Sequence, residues 1–296
     1  MLKLEGSFVA LMTPMKKNGD VDEEALRQLI DLQLEQGTQG LVPCGTTGES
    51  ATLTLAEHKK VIDICMDQVN GRIPVLAGTG SNATSEALDL TKHAENAGCD
   101  GALLITPYYN KPTPKGLILH FTTIANETNI PLVVYNVPSR TGLNMEASTV
   151  LELAKHKNIV GIKEASGNLG QVMDIIAKAP PHFVIISGDD ALTYPIVTLG
   201  GKGVISVVAN IAPKLMSTFM KSLMQGNYER ARKEHYALLP LFKVLFIETN
   251  PGPCKKAAEL MKLVGSDSWY LRLPLVEPTS ENTEKIRVVL QQLKLL

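Results

Sequence analysis

Eight short apolar runs, each followed by a longer amphipathic stretch, recur along this chain, and their rhythm limits what it can fold into. The runs are FVALMTP (8–14), GLVPCG (40–45), IPVLAG (73–78), GALLITP (101–107), PLVVYNV (131–137), IVGIKEA (159–165), FVIISG (183–188) and GVISVV (203–208). Each is too apolar to face water on either side, which is the pattern of strands covered by helices. The segments between them carry helical spacing. In DEEALRQLIDLQLEQG (22–37), Ala25, Leu29, Leu32 and Gln36 recur at about 3.6 residues. The endings EQG and ENAG place a glycine where a left-handed helix cap is wanted. Eight such repeats within about 225 residues predict an α/β fold, the (β/α)8 or TIM barrel. Residues 226–296 hold helical runs such as ERARKEHYALLPLFKVLF and ENTEKIRVVLQQLKLL but no strand-like run. They predict a C-terminal helical extension on a catalytic barrel of residues 1–225, with no Pro/Gly/Ser linker between them.

Composition removes several function classes. With 296 residues, 44% of them hydrophobic, the chain can fill a large core. A net charge of −1, with Lys and Arg scattered, gives no electrostatic reason for nucleic acid or an anionic membrane as partner. Cys44, Cys65, Cys99 and Cys254 form no CxxC, and the six histidines form no HxH or HxxxH. Neither a metal site nor a disulfide framework is expected. The opening MLKLEGSFVALMTPMKKNGD reads as a first strand and not a signal peptide, and no run approaches the roughly 18 apolar residues of a membrane span. The expectation is a cytoplasmic enzyme with reduced thiols.

Barrel geometry puts chemistry where the βα loops converge, at the C-terminal ends of the strands. The polar residues closing apolar runs there are Thr46-Thr47, Tyr108-Tyr109, Tyr135, Lys163 and Asp189-Asp190. Lys163 is the oddest, at the end of Ile159-Val160-Gly161-Ile162. Either it snorkels to water or the site wants an amine without its proton. Alternation along the strand means that if Lys163 faces the barrel axis, Glu164 faces the helices and is no close partner. A lysine at its usual pKa of about 10.4 is nearly all ammonium at neutral pH. Desolvation lowers that value and frees a nucleophile for Schiff-base formation with a carbonyl. The imine then acts as an electron sink, so no metal or other cofactor is needed, but hydroxyls must move protons. Tyr135 and Thr47 are suitable types. GTTGES after the second run is either a tight loop capping the next helix or a backbone cradle for a small carboxylate.

Four motifs, PCGTTGESATL, TPYYNKPT, YNVPSRTG and GIKEASG, in this order and spacing, resemble the dihydrodipicolinate synthase family of pyruvate-dependent class I aldolases. The resemblance covers essentially the whole chain. It implies that Lys163 forms the Schiff base with pyruvate and that Tyr135 and Thr47 belong to a proton relay. By the same resemblance Tyr109 would be the relay member lent across a dimer interface. Thr46 and Thr47 would hold the pyruvate carboxylate, with Ile205 lining the pocket. Arg140 stands where sialic acid lyases and sugar-acid aldolases generally lack an arginine, and a planar donor there suits the carboxylate of L-aspartate 4-semialdehyde. The resemblance further implies a homotetramer built of two dimers. It also implies feedback by L-lysine at Ser50, Ala51, His58, Asn82, Glu86 and Tyr108. There Glu86 would pair with the α-ammonium, Asn82 and Tyr108 would hold the carboxylate, and His58 would accept from the ε-ammonium. Leu55 departs from this pattern, replacing a histidine of lysine-sensitive relatives.

Three other readings compete. VLAGTGSNA (75–83) matches a dinucleotide fingerprint, yet Asp100 precedes the next run where an acidic residue should close it. LGGKGV (199–204) is a phosphate loop or a plain glycine turn into the eighth strand. A catalytically silent carboxylate-binding barrel would have lost the lysine or the tyrosine, and both are present.

Overall fold

The computed structural model describes residues 2–265 and 267–296. Eight strands form: β1 (Gly6–Ala10), β2 (Gly40–Val42), β3 (Leu76–Gly78), β4 (Gly101–Ile105), β5 (Leu132–Asn136), β6 (Ile159–Glu164), β7 (Val184–Ser187) and β8 (Gly203–Ser206). All pairings between them are parallel, in the order β2-β1-β8-β7-β6-β5-β4-β3. A parallel bridge between Leu41 and Val75 joins the two ends and closes the barrel. The helices wrapping it are α1 (Glu23–Glu35), α2 (Leu55–Val69), α3 (Thr84–Asn96), α4 (Pro114–Glu127), α5 (Pro138–Thr141), α6 (Ala147–Leu153), α7 (Leu169–Lys178), α8 (Thr193–Leu199) and α9 (Pro213–Met224). Three more follow: α10 (Tyr228–Val244), α11 (Gly252–Leu260) and α12 (Ser280–Gln292). Helix α10 packs on α8, α9 and α12, while α11 packs on α12 and on a 3-10 turn at Val208–Asn210 after β8. No helix among the described residues is long and apolar enough to cross a membrane.

Alternation along each strand divides the core in two. Val9, Leu41, Ala77, Leu104, Val134, Ile162, Ile185 and Val204 face the helices. Phe8, Ala10, Val42, Leu76, Leu103, Val133, Tyr135, Ile186 and Ile205 fill the barrel. The apolar runs outlast the strands because hydrophobicity reports burial, not pairing. In the second run pairing stops at Val42, Pro43 follows, and Cys44 turns the chain at φ 54°.

Helix ends follow the sequence closely. Asp22 caps α1 and Thr54 with Glu57 forms a reciprocal capping box on α2. Gly37 and Gly98, just past α1 and α3, have φ 82° and 85°, as their positions predicted. The buried face of α1 is rotated from the expected one. It runs through Ala25, Leu26, Leu29, Ile30 and Gln33, because the Gln33 amide donates to Ala209 O at 2.9 Å and so belongs inside. The fingerprint-like Gly78 also has a packing role: a Cβ there would meet Cys44 O at 2.2 Å, so the glycine lets β3 approach the turn after β2.

Candidate active site

Lys163 sits on β6 in register with Tyr135 on β5 and Ile186 on β7, so all three face the barrel axis. Glu164, on the other face, accepts from Ser166 N (2.6 Å), Asn136 Nδ2 (3.2 Å) and Gln171 Nε2 (3.3 Å). As strand alternation requires, the neighbouring carboxylate is spent on the helix side. Lys163 does not snorkel. The residue is 6% exposed, and its Nζ lies 4.2 Å over the centroid of the Tyr135 ring. Gly188 makes room for its stem, since a Cβ there would meet Lys163 Cε and Cγ at 3.1 Å.

Burial brings the Lys163 pKa down to about 7; the Asp190 charge opposes the shift and the Arg140 charge adds to it. A large share of the amine is therefore neutral at neutral pH. Asp190 is itself buried. Its Oδ2 accepts from Val207 N (3.0 Å) and Val208 N (3.1 Å), fixing the end of β8, while burial raises its carboxyl to about 6.

Tyr135 lines a cavity of about 590 Å³ together with Thr46, Arg140 and Asn250. Burial pushes its phenol up to about 12, with the Arg140 charge and the Thr46 hydroxyl pulling the other way. The resemblance gives Thr47 a place in the relay with Tyr135; of the two threonines it is the Thr46 hydroxyl that bears on the Tyr135 phenol. Thr47 instead accepts from Asn250 Nδ2 through Oγ1 at 2.9 Å. A hydroxyl that accepts there keeps its own proton free to donate. In the same turn the N–H groups of Gly48 and Ser50 bond to Gly45 O and that of Glu49 to Thr46 O. Among the described residues the N–H groups of Thr46 and Thr47 have no such backbone partner. Two adjacent N–H groups and one hydroxyl are thus free for an acceptor.

Arg140 lies on α5 immediately after the tyrosine strand and donates from Nη2 to Asn250 O at 3.0 Å. Its other donors remain free to take an anion in the cavity it lines. The resemblance places Ile205 in the pocket lining; it is instead buried in the barrel interior, in register with Phe8, and is not part of the cavity wall. Tyr109 is 92% exposed on the loop after β4 and does not reach the cavity of its own chain.

The same cavity extends to Ser50, Ala51, Leu55, His58, Glu86 and Tyr108. His58 is buried rather than solvated, and its Nε2 donates to Gly78 O at 2.7 Å. A carbonyl can only accept, so the neutral ring carries its proton on Nε2 and keeps Nδ1 as an acceptor. Burial lowers its pKa, which favours that neutral form. Glu86 accepts from Ser81 Oγ. Asn82 stands behind the wall, where its Oδ1 accepts from Tyr108 N at 2.9 Å and holds that residue's backbone. Two residues of the site went unnoticed in the sequence. Asn250 lies in a loop some 200 positions from Thr47, and Gly188 acts only by lacking a side chain.

Residues 3–293 match the dihydrodipicolinate synthetase family. The chain belongs to this family. It is 56% identical over 285 residues to the 4-hydroxy-tetrahydrodipicolinate synthase of Syntrophotalea carbinolica, covering 96% of each chain. Its fold superimposes on the dihydrodipicolinate synthase of Acinetobacter baumannii complexed with pyruvate, with a TM-score of 0.96 and 41% identity over 99% of this chain and 100% of that one. The enzyme of Cyanidioschyzon merolae, solved with lysine bound, gives a TM-score of 0.94 and 39% identity over 99% of both chains.

Proposed function

We propose that this family member condenses pyruvate with L-aspartate 4-semialdehyde to give 4-hydroxy-tetrahydrodipicolinate, on the route to diaminopimelate and lysine. The observation that carries the reading is Lys163, buried near the end of β6 with its amine against the face of Tyr135 and its pKa brought to about 7. Its neutral amine attacks the ketone carbon of pyruvate, and loss of water leaves an iminium. The cation draws electrons from the adjacent methyl, which gives up a proton and becomes an enamine. That carbon attacks the aldehyde, forming the new C–C bond while the aldehyde oxygen takes up a proton. The amino group of the semialdehyde then displaces Lys163 and closes the ring.

Each polar group has a part in that sequence. Thr46 and Thr47 offer two N–H groups and a hydroxyl to the pyruvate carboxylate. Tyr135 with Thr47, and Thr46 beside the phenol, would move the protons. Tyr109, which does not reach its own cavity, would complete the relay in a neighbouring subunit of a dimer, two dimers making the tetramer. Arg140 takes the second carboxylate, and Ile205 supports the apolar floor. The curated relatives bear the name of this activity, and the pyruvate complex of the Acinetobacter enzyme supports the first substrate.

Lysine is proposed as an inhibitor bound by Ser50, Ala51, His58, Asn82, Glu86 and Tyr108. The free Nδ1 of His58 and the Glu86 carboxylate suit its two ammonium groups, and the lysine-bound Cyanidioschyzon structure supports the assignment. The cytoplasm is the proposed compartment, since all four cysteines are buried free thiols. A coupled assay offering pyruvate with either aspartate semialdehyde or N-acetylmannosamine decides the substrate. Turnover with the semialdehyde alone is expected; turnover with the amino sugar alone would make the chain a sialic-acid-type aldolase.

A further inference from the structure

An ion pair with no access to water holds the loop after β2 against the C-terminal part of the chain. Lys255 on α11 and Glu49, two residues past Thr47, meet at 2.5 Å with side chains 1% and 0% exposed. Lys255 Nζ also donates to Tyr270 O at 2.8 Å, and Glu49 Oε2 accepts from Arg272 N at 3.3 Å. Glu49 does this from a left-handed backbone conformation, φ 55°, which a non-glycine residue adopts only when its surroundings insist.

Stability explains this pair poorly. Taking two charges out of water costs about as much as their attraction returns, and apolar residues of similar size often serve as well or better. A fixed position explains it better. Glu49 belongs to the turn whose other bonds are Glu49 N to Thr46 O, Gly48 N and Ser50 N to Gly45 O, and Thr13 Oγ1 to Gly48 O at 2.8 Å. A shift of Glu49 is therefore passed directly to Thr46 and Thr47. Asn250, two residues before α11, grips Thr47 from the same C-terminal side. The loop is thus held at both its threonine and its glutamate by residues about 200 positions away.

We propose that Lys255 and Glu49 are positioning residues for the condensation: their ion pair holds the 45–52 loop in the geometry that receives the pyruvate carboxylate. The inference rests on the reading of Thr46 and Thr47 as that carboxylate's partners. Lys255 does not line the cavity, and Glu49, although part of its wall, keeps its carboxylate turned to Lys255 and 0% exposed.

Glu49→Gln keeps shape and hydrogen-bonding reach while removing the anion, and a Glu49→Met/Lys255→Met double variant removes both charges together. Two readouts apply to each: amide hydrogen exchange over residues 45–52, and the pyruvate concentration giving half-maximal inactivation by borohydride. Both variants should exchange faster in that segment and need roughly tenfold to a hundredfold more pyruvate, the usual penalty for a reacting group misplaced by about an ångström. The melting temperature of the double variant should stay close to wild type. A folded variant with wild-type exchange, or with unchanged half-saturation, overturns the proposal. Loss of the fold in both variants assigns the pair to stability and also overturns it. If pyruvate and borohydride fail to inactivate the wild-type enzyme, the pyruvate reading fails instead. The exchange result then decides alone whether the pair holds the loop.

Discussion

Lys163 and Lys255 both lie inside the molecule, 6% and 1% exposed, but only one of them meets a carboxylate. Lys255 has Glu49 at 2.5 Å and a carbonyl at 2.8 Å, and burial lowers its pKa against the opposing charge and hydrogen bond of Glu49. Among the described residues Lys163 has no carboxylate within ion-pair distance; the face of Tyr135 is beside it instead. The same side chain is thus an anchor in one place and a nucleophile in the other. What differs is whether burial comes with a counter-charge. Glu164 could have supplied one to Lys163, but strand alternation turns it to the helices, where two amides and a backbone N–H occupy it.

Replacing each lysine by methionine sharpens this contrast most. Lys163→Met should abolish condensation, a loss on the order of 10⁴-fold or more for a covalent nucleophile, measured in the coupled assay. Its stability should move the other way. The folded pKa of Lys163, about 7, lies below the unfolded value, so the folded protein binds fewer protons between those two values. This group therefore penalises folding at pH 7 and below, and the penalty fades as pH rises through about 10. Lys163→Met should melt higher than wild type near neutral pH, with the gain lost in alkali. Lys255→Met alone should destabilise by about 3–5 kcal/mol, because Glu49 is left as an unpaired buried charge; chemical denaturation measures it. Equal stability changes in the two variants would break the distinction.

A smaller effect is expected where the site meets the second substrate. Arg140→Ala removes a charge-assisted bond worth roughly 1.5–3 kcal/mol, or about tenfold to a hundredfold in kcat/KM for the aldehyde. The pyruvate concentration needed for imine trapping should change much less. Equal losses in both would make Arg140 a support for Asn250 and the shared loop, through the bond it already makes there. Smallest of all is the effect of Leu55 on inhibition. One missing polar contact costs about 0.5–1.5 kcal/mol, so millimolar lysine should slow initial rates at fixed pyruvate, and Glu86→Ala should remove that slowing. Rates that stay flat in wild type would discard the effector site.

The barrel was legible because its strands are short, apolar and regularly spaced, and Lys163 was legible because an ammonium is out of place at the end of one. What the sequence concealed depends on distance along the chain or on the absence of a side chain. Asn250 looks like an ordinary loop residue until folding carries it to Thr47. Gly188 matters because a Cβ there would crowd Ala165 and the lysine stem. The different surroundings of Thr46 and Thr47 have a similar origin. Adjacent threonines are equivalent as text, and only the turn beginning at Cys44 decides which hydroxyl meets Tyr135 and which meets Asn250. On α1 the expected apolar face missed Gln33, a polar residue drawn inward by the Ala209 carbonyl in the 3-10 turn after β8.

The claim that Lys163 is the nucleophile because it is buried without a contacting counter-charge can be tested in one experiment. Enzyme is mixed briefly with pyruvate from about pH 5 to about pH 10, across the range between a shifted and an ordinary lysine. Each sample is quenched with borohydride, and the reduced adduct is located and quantified by peptide mass mapping. The account predicts an adduct on Lys163, with a formation rate that climbs through about pH 7 and then levels off. An adduct on Lys255 or Lys256, or a rate on Lys163 that keeps climbing to pH 10, would contradict it.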